Sequence, residues 1–333
     1  MRSRSILIVG LMLTIVRLVS GEQIRIATYN IENWRLRFDV NDLIEWAQTQ
    51  PSNDRLNQLI RSERNRDEED NWEIAETIRD PNVNADILLF QEGPNQADLE
   101  HFNQHWLSGM YATVRVFKTN TGRGQNTGIM LKPGFELLEV RETYHLEKDS
   151  VPKDWMKPGE DGEESMVREN RLFARGPAFA KVKTPSGYVF WVGTNHQKSK
   201  SGNNVQVAAW RLREARRTQQ IITELASDGT DVVFGGDMND EIGIQEFEKE
   251  AGGDAMAALA GPPDQTLLAT RSLAEKGEIS FGGYWRDYYR SFIDHFVVSA
   301  SLKDRIVDVH VYRGGLAPVA SDHYPVVLTI RTR

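Results

Sequence analysis

The 333 residues contain no cysteine, which excludes a disulfide framework and any thiolate chemistry. Positive charge is scarce. Forty Lys and Arg face 48 Asp and Glu, for a net charge of −8. That deficit argues against loose, field-driven adhesion to nucleic acid or anionic lipid, though not against an enzyme with a local basic groove. Long apolar runs are wanting too. The one that stands out, Ile6 to Val16, is too short to span a bilayer comfortably. Internal repeats and low-complexity linkers are absent as well, so the chain reads as one domain without an evident boundary.

The apolar run has another reading. Arg2 and Arg4 make a basic start and Val19-Ser20-Gly21 offers small residues for cleavage, the pattern of a secretory signal peptide over residues 1–21. An exported protein with a mature start near Glu22 is expected. Its 37 basic residues against 48 acidic ones would give −11, because residues 1–21 hold Arg2, Arg4 and Arg17 and no acid. At 40% hydrophobic and 26% charged, the rest has the composition of a soluble globular protein able to bury a substantial core.

Ordered elements alternate along the chain. Strands are expected at Ile24–Thr28, Asp86–Phe90, Tyr111–Val116, Gly128–Leu131, Leu137–Thr143, Phe173–Lys183, Tyr188–Gly193, Val232–Phe234, Phe292–Val298, Ile306–Val311 and Val326–Ile330. Helices are expected up to Asp80 (with Trp72, Ala75 and Ile78 on one face), at about Ala97–Leu107, over Val205–Leu225, and near Ile244–Leu259. Many strands with helices between them suggest two packed sheets covered by helices. The acidic stretch Gly159–Glu164, beside Pro152 and Pro158, reads as an exposed loop insertion.

Six apolar strands end in acids, amides or histidines. Ile24–Tyr29 ends in Asn30, with Glu32 beyond, and Ile87–Gln91 ends in Glu92. Val189–Thr194 ends in Asn195 and His196. Val232-Val233-Phe234 is followed by Gly235 and Gly236, where a tight turn is expected, and then by Asp237, Asn239 and Asp240. Asp294 precedes Phe296-Val297-Val298, and Asp322 with His323 precedes Tyr324-Pro325-Val326-Val327. One such end is an ordinary turn or cap. Six together suit metal-assisted attack of water on a phosphate ester. Mg²⁺ takes few protein carboxylates, so Glu92 and Glu32 would suffice. Asp237 or an Asp–His pair could take the water's proton. Asp294 could orient His323 and keep it cationic, and Asn30, Asn239 and His196 could bond phosphate oxygens.

The ordered set Ala27-Thr28-Tyr29-Asn30, Leu89-Phe90-Gln91-Glu92, Gly193-Thr194-Asn195-His196, Gly236-Asp237-Met238-Asn239, Ile293-Asp294-His295-Phe296 and Ser321-Asp322-His323-Tyr324-Pro325 resembles the endonuclease/exonuclease/phosphatase superfamily, of deoxyribonuclease I and exonuclease III type. The resemblance covers essentially the whole mature chain. It implies a four-layered α/β/β/α sandwich, with two mixed sheets face to face and helices outside, and divalent-metal-dependent cleavage of phosphate esters. It implies Glu92 as principal metal ligand, Glu32 as a second, and Asp322 as an acid at or near the metal. Asp237 and Asn239 match the pair that positions and activates water, Asp294 with His323 the Asp–His dyad, and His196 a second catalytic histidine. Asn30, Asn195 and Arg175 are the phosphate-binding candidates; Arg175 precedes Gly176-Pro177 and has Arg168 and Arg171 as neighbouring competitors.

An endonuclease acting on DNA or RNA with Mg²⁺, or Mn²⁺ in its place, is therefore expected, as a monomer without a stable protein partner or a membrane span. A sphingomyelinase-like phosphodiesterase and a phosphomonoesterase are the alternatives, a non-catalytic phosphate-binding protein a third. The tryptophan-rich signature of inositol 5-phosphatases and the cysteines of secreted deoxyribonuclease I are missing. Phe281-Gly282-Gly283-Tyr284-Trp285-Arg286 could stack on a base or belong to the core. Lys198, Lys200, Arg211, Arg213, Arg216 and Arg217 either line a polyanion groove or make a charged helix face with Glu214. His101 and His105, at zinc-like spacing without a third ligand, read as surface residues, and His145, His295 and His310 as structural ones.

Overall fold

The computed structural model describes residues 21–32, 68–120, 125–150, 169–200, 204–282 and 290–332. Residues 1–20 of the signal peptide expected over 1–21, the loop insertion expected at 159–164 and Gly283–Arg286 lie outside them.

Two six-stranded sheets form the frame. The first runs β11 (Ile306–Val311), β12 (Val326–Arg331), β1 (Gln23–Asn30), β2 (Ile87–Gly93), β4 (Asn126–Leu131), β3 (Thr113–Val116). The second runs β5 (Glu136–Arg141), β6 (Arg175–Lys183), β7 (Val189–His196), β8 (Val232–Asp237), β10 (Asp294–Ser299), β9 (Thr266–Leu268). Each sheet has one parallel pair, β1 with β2 and β7 with β8; the other pairings are antiparallel.

Strand periodicity sorts the side chains into layers. Ile24, Ile26, Ile87 and Leu89 of the first sheet meet Phe190, Val192, Val233, Phe296 and Val298 of the second in one core between the sheets. The alternate residues Ala27, Tyr29, Leu88 and Phe90 face α1 (Glu68–Arg79) and α2 (Gln96–His105). Trp191, Val232, Phe234 and Val297 face α3 (Val205–Ala226) and α5 (Ala255–Ala260), and α4 (Glu246–Ala251) packs on α3. The layers are therefore helix, sheet, sheet, helix, as expected.

Local departures have local causes. The helix expected near Ile244–Leu259 is two short helices, because Gly252 ends α4 in the left-handed region at φ 99° and Gly253 follows at φ 145°. On α1 the buried face is Ile74, Ala75 and Ile78, and Trp72 is exposed. Strand β5 stops at Arg141, before a 3₁₀ turn at Thr143–Leu146. Gly235 and Gly236 stay inside β8 instead of turning. They serve close packing: a Cβ on Gly235 would lie 2.4 Å from the Phe296 ring, and one on Gly236 2.3 Å from the Asn195 carbonyl. Strand β9, the short α6 (Arg271–Glu275) and α7 (Ala317–Ala320) were not anticipated.

Candidate active site

The alternation that buries Ile24 and Ile26 also places Thr28 and then Asn30 on the inner face of β1. The same count places Gln91 on β2, Thr194 and His196 on β7, Asp237 on β8, and Asp294 on β10. Thus the inner core becomes polar at one end of the sandwich. A row of neutral groups comes first: Gln91 Nε2 donates to Thr28 Oγ1 at 3.0 Å and to Thr194 Oγ1 at 2.9 Å, joining the two sheets. The ionisable groups lie beyond it.

Asp237 is their centre. Its Oδ2 accepts from Asn30 Nδ2 at 3.0 Å, its Oδ1 from the Asn239 N–H at 2.8 Å, and His196 Nε2 lies 3.3 Å away. His323 Nε2 stands 3.7 Å from the same Oδ2, while its Nδ1 is bonded to Asp294 Oδ2 at 2.8 Å. Register explains the proximity, since Asp237 pairs with Asp294 across β8–β10 and with His196 across β7–β8. The dyad is braced from behind. Ser280 Oγ accepts the backbone N–H of Asp294 at 3.0 Å, the Gly282 N–H donates to the Asp322 carbonyl at 2.9 Å, and the half-buried Phe281 ring sits 4.8 Å from the His323 ring. Ser321 Oγ ties the His323 loop to Asn30 by donating to the Asn30 carbonyl at 2.8 Å.

The two histidines titrate in opposite directions. Burial lowers His196 well below its ordinary value, and the nearby Arg175, His323 and Lys198 charges lower it further, so it is neutral. Burial would lower His323 as well, but Asp294 and Asp237 hold it well above its ordinary value, so it is an imidazolium. Burial and the Asp294 charge push the Asp237 carboxyl up to about 7, against the opposing His323 charge and its two N–H bonds.

Glu92, Glu32 and Asp322 supply oxygens from the first sheet's side. By alternation Glu92 would follow Phe90 outward. A bulge prevents this: Phe90 pairs with Gly128 and Gly93 with Asn126, so Gln91 and Glu92 together oppose Thr127. With Glu92 at φ 57°, its carboxylate turns to the cleft, where Asn30 Nδ2 lies 3.4 Å and Gln125 Nε2 3.1 Å from its two oxygens. Glu32 (φ 47°) receives the Asp322 N–H on Oε2 at 3.2 Å, and Asn239 is likewise left-handed at φ 49°. Three of the six described non-glycine residues with such backbone belong to this cluster, at a cost of about 1–3 kcal/mol each. Their carboxylate oxygens are the donors a hard cation takes, and Asp294 Oδ1, on the dyad, is buried with no hydrogen bond. Asp237, Asp294 and His323 also offer ligand atoms within 4.8 Å of one another. A protonated His323 has no lone pair to give a metal.

Two phosphate-binding candidates are placed differently from expectation. Asn195 alternates with His196 and points outward, its buried amide enclosed by the backbones of Gly176 and Gly236 and without a hydrogen bond. Arg175 is spent internally, donating to the His196 carbonyl (3.3 Å), the Gln197 carbonyl (2.9 Å) and Gln125 Oε1 (2.8 Å). Most of the basic residues near α3 are engaged by other groups of the chain. Arg211 is fully buried with Nε 3.3 Å from Asp240, Arg217 pairs with Glu147 and Glu224, Arg213 with Asp149, and Lys200 with Asp240. Glu214 is buried, and its carboxylate accepts the Lys198 N–H at 2.9 Å. His101 and His105 stack on each other. His295 is buried between Thr270 and the Phe292 carbonyl. Gln125 and Ser280 carry no signal in a single sequence, and Ser321 belongs to the matched Ser321–Pro325 stretch without its bracing role being legible there.

A model of the endonuclease/exonuclease/phosphatase family matches residues 27–323. No curated protein matches the sequence. Among solved structures, humanized D. rerio TDP2 is 15% identical with a TM-score of 0.55, covering 93% of this chain and 99% of its own. D. rerio TDP2 complexed with a single-strand DNA product is 14% identical with a TM-score of 0.54, covering 93% and 99%. A Bacteroides thetaiotaomicron mannosyl-6-phosphatase is 15% identical with a TM-score of 0.52, covering 92% and 98%. These likenesses establish the fold, whereas the family match spans all six polar strand ends. The chain belongs to the endonuclease/exonuclease/phosphatase family of metal-dependent phosphoester hydrolases.

Proposed function

We propose that the protein is an exported, Mg²⁺-dependent phosphodiesterase that cleaves DNA or RNA by in-line attack of water. The observation that carries this is Asp237, held by Asn30 and Asn239 between a neutral His196 and a cationic His323. Asp237 orients the water and takes its proton as the new P–O bond forms. Neutral His196, with Asn30 and Asn239, hydrogen-bonds the phosphate oxygens. His323, fixed by Asp294, offsets the charge that develops there and protonates the leaving oxygen as the ester P–O bond breaks. A divalent cation held by Glu92, with Glu32 and Asp322 alongside, supplies charge neutralisation at the phosphate when bound. Residues 1–21 act as the export signal of a monomeric domain beginning near Glu22.

One observation favours a second reading. Arg211, Arg213 and Arg217 of α3 each pair with a carboxylate of this chain, which leaves less free positive charge there for a long polyanion and suits a compact phosphate ester. The test presents plasmid DNA, RNA, sphingomyelin, an aryl phosphodiester and an aryl phosphomonoester to the protein with Mg²⁺, Mn²⁺ or chelator. Metal-dependent nicking of DNA or RNA supports the first reading, and cleavage of the monoester alone supports the second. No turnover of any substrate would sink both.

A further inference from the structure

We propose that Gln125 is a positioning residue that fixes the Glu92 carboxylate for metal binding, as the middle member of a relay that begins at Arg175 on the opposite sheet. The inference rests on Glu92 being a metal ligand, as read above.

The amide of Gln125 can be oriented without ambiguity. A guanidinium only donates, so the oxygen facing Arg175 Nη1 at 2.8 Å must be Oε1. Nε2 is then the atom 3.1 Å from Glu92 Oε2, and a carboxylate only accepts. Both contacts have the right polarity, and reversing the amide would spoil both. Arg175 is itself immobilised through the His196 and Gln197 carbonyls. Arg175 and Gln125 are each 6% exposed, so the relay is shielded from water. Donation from a cation through an amide polarises each bond along the line.

Glu92 has need of such a tether. It lies on a bulge in left-handed backbone, so the regular ladder does not dictate where its flexible side chain points. Of the two amide contacts to it among the described residues, that from Asn30 is long at 3.4 Å and comes from a side chain already donating to Asp237 at 3.0 Å. Gln125 makes the shorter one. The bulge that turns Glu92 inward also leaves Gln125, just before β4, within reach of it.

The experiment measures Mn²⁺ binding to the metal-free protein by calorimetry and electron paramagnetic resonance, alongside kinetics with an aryl phosphodiester. Gln125→Met keeps the length of the side chain and removes both bonds. Its Mn²⁺ affinity is expected to fall ~10–100-fold, the usual effect of losing a group that orients a ligand. Turnover at saturating Mn²⁺ is expected to stay within a few-fold of wild type. Gln125→Glu keeps an acceptor for Arg175 but no donor for Glu92, and is expected to lose the wild-type affinity too. Should Gln125→Met fail to fold, by melting of the metal-free protein, this second variant decides. Wild-type Mn²⁺ affinity in either folded variant overturns the proposal, provided that Glu92→Gln weakens binding. Unchanged binding in Glu92→Gln would instead remove the metal reading on which the proposal stands.

Discussion

Asp237→Asn should flatten the pH dependence of stability in the metal-free protein. In the unfolded chain an aspartate releases its proton near pH 3.8, whereas in the fold burial and the Asp294 charge hold the Asp237 proton to about pH 7. Between those limits the native state binds more protons than the unfolded state, so raising the pH destabilises the native state. The slope contributed is at most ~1.4 kcal/mol per pH unit for one proton. His323, also raised in the fold, contributes stability that is present below its unfolded value of 6.5 and lost as the pH rises through its folded value. Both groups therefore work in the same direction. The Asn variant keeps an acceptor for the Asn239 N–H but carries no ionisable proton, so its Asp237 contribution vanishes. Urea unfolding in chelator, from pH 4 to pH 8, gives the free energies; subtracting the variant's curve cancels groups that Asp237 does not touch, and the part of the His323 shift that Asp237 supplies adds in the same direction. The difference should shift steadily against wild type as the pH rises to 7. Parallel curves would refute the assignment of a high-pKa carboxyl to Asp237. With metal and substrate the same variant should lose ~10²–10⁴-fold in rate, as expected for a general base.

Three further perturbations test other parts of the structure. His196→Gln should lower the rate ~10²–10³-fold without moving either limb of the pH–rate profile, because the imidazole is neutral throughout; a limb lost with it would contradict that state. Arg211→Met removes the buried cation between Asp240 and Glu248, leaving Asp240 only Lys200 as a cationic partner among the described residues, and should cost ~3–5 kcal/mol of unfolding free energy in urea, whereas a loss below 1 kcal/mol would make the buried ion pair incidental. Gly235→Ala should destabilise by ~1–3 kcal/mol through its clash with Phe296 and regain much of that when Phe296→Leu is added; additive losses in the pair would argue against a steric cause.

What the sequence made legible was whatever obeys period two. Asn30, His196, Asp237 and Asp294 are each an even number of residues from an inner-face apolar residue, so an apolar strand with a polar end already encodes a site. Glu92 breaks that count, and only the bulge against Thr127, a property of two strands, returns it to the cleft. Asn195 obeys the count and is for that reason carried to the far side of the sheet from His196. The α3 cations could not be judged from one sequence either, since their partners Glu147, Asp149 and Asp240 lie on other segments. Gln125 is the extreme case: a neutral amide whose meaning comes only from the arginine and glutamate it joins.

The cleft is a seam. Asn30, Gln91 and Glu92 come from one sheet, while Thr194, His196, Asp237 and Asp294 come from the other. Whatever fills it touches both halves and so also acts as an adhesive between them. A phosphate compound or cation at a hundred times its dissociation constant should add ~2.7 kcal/mol to the cohesion of the whole domain. The melting temperature is therefore a ligand detector that needs no turnover, and a panel of phosphate esters could be ranked by it before any product is sought.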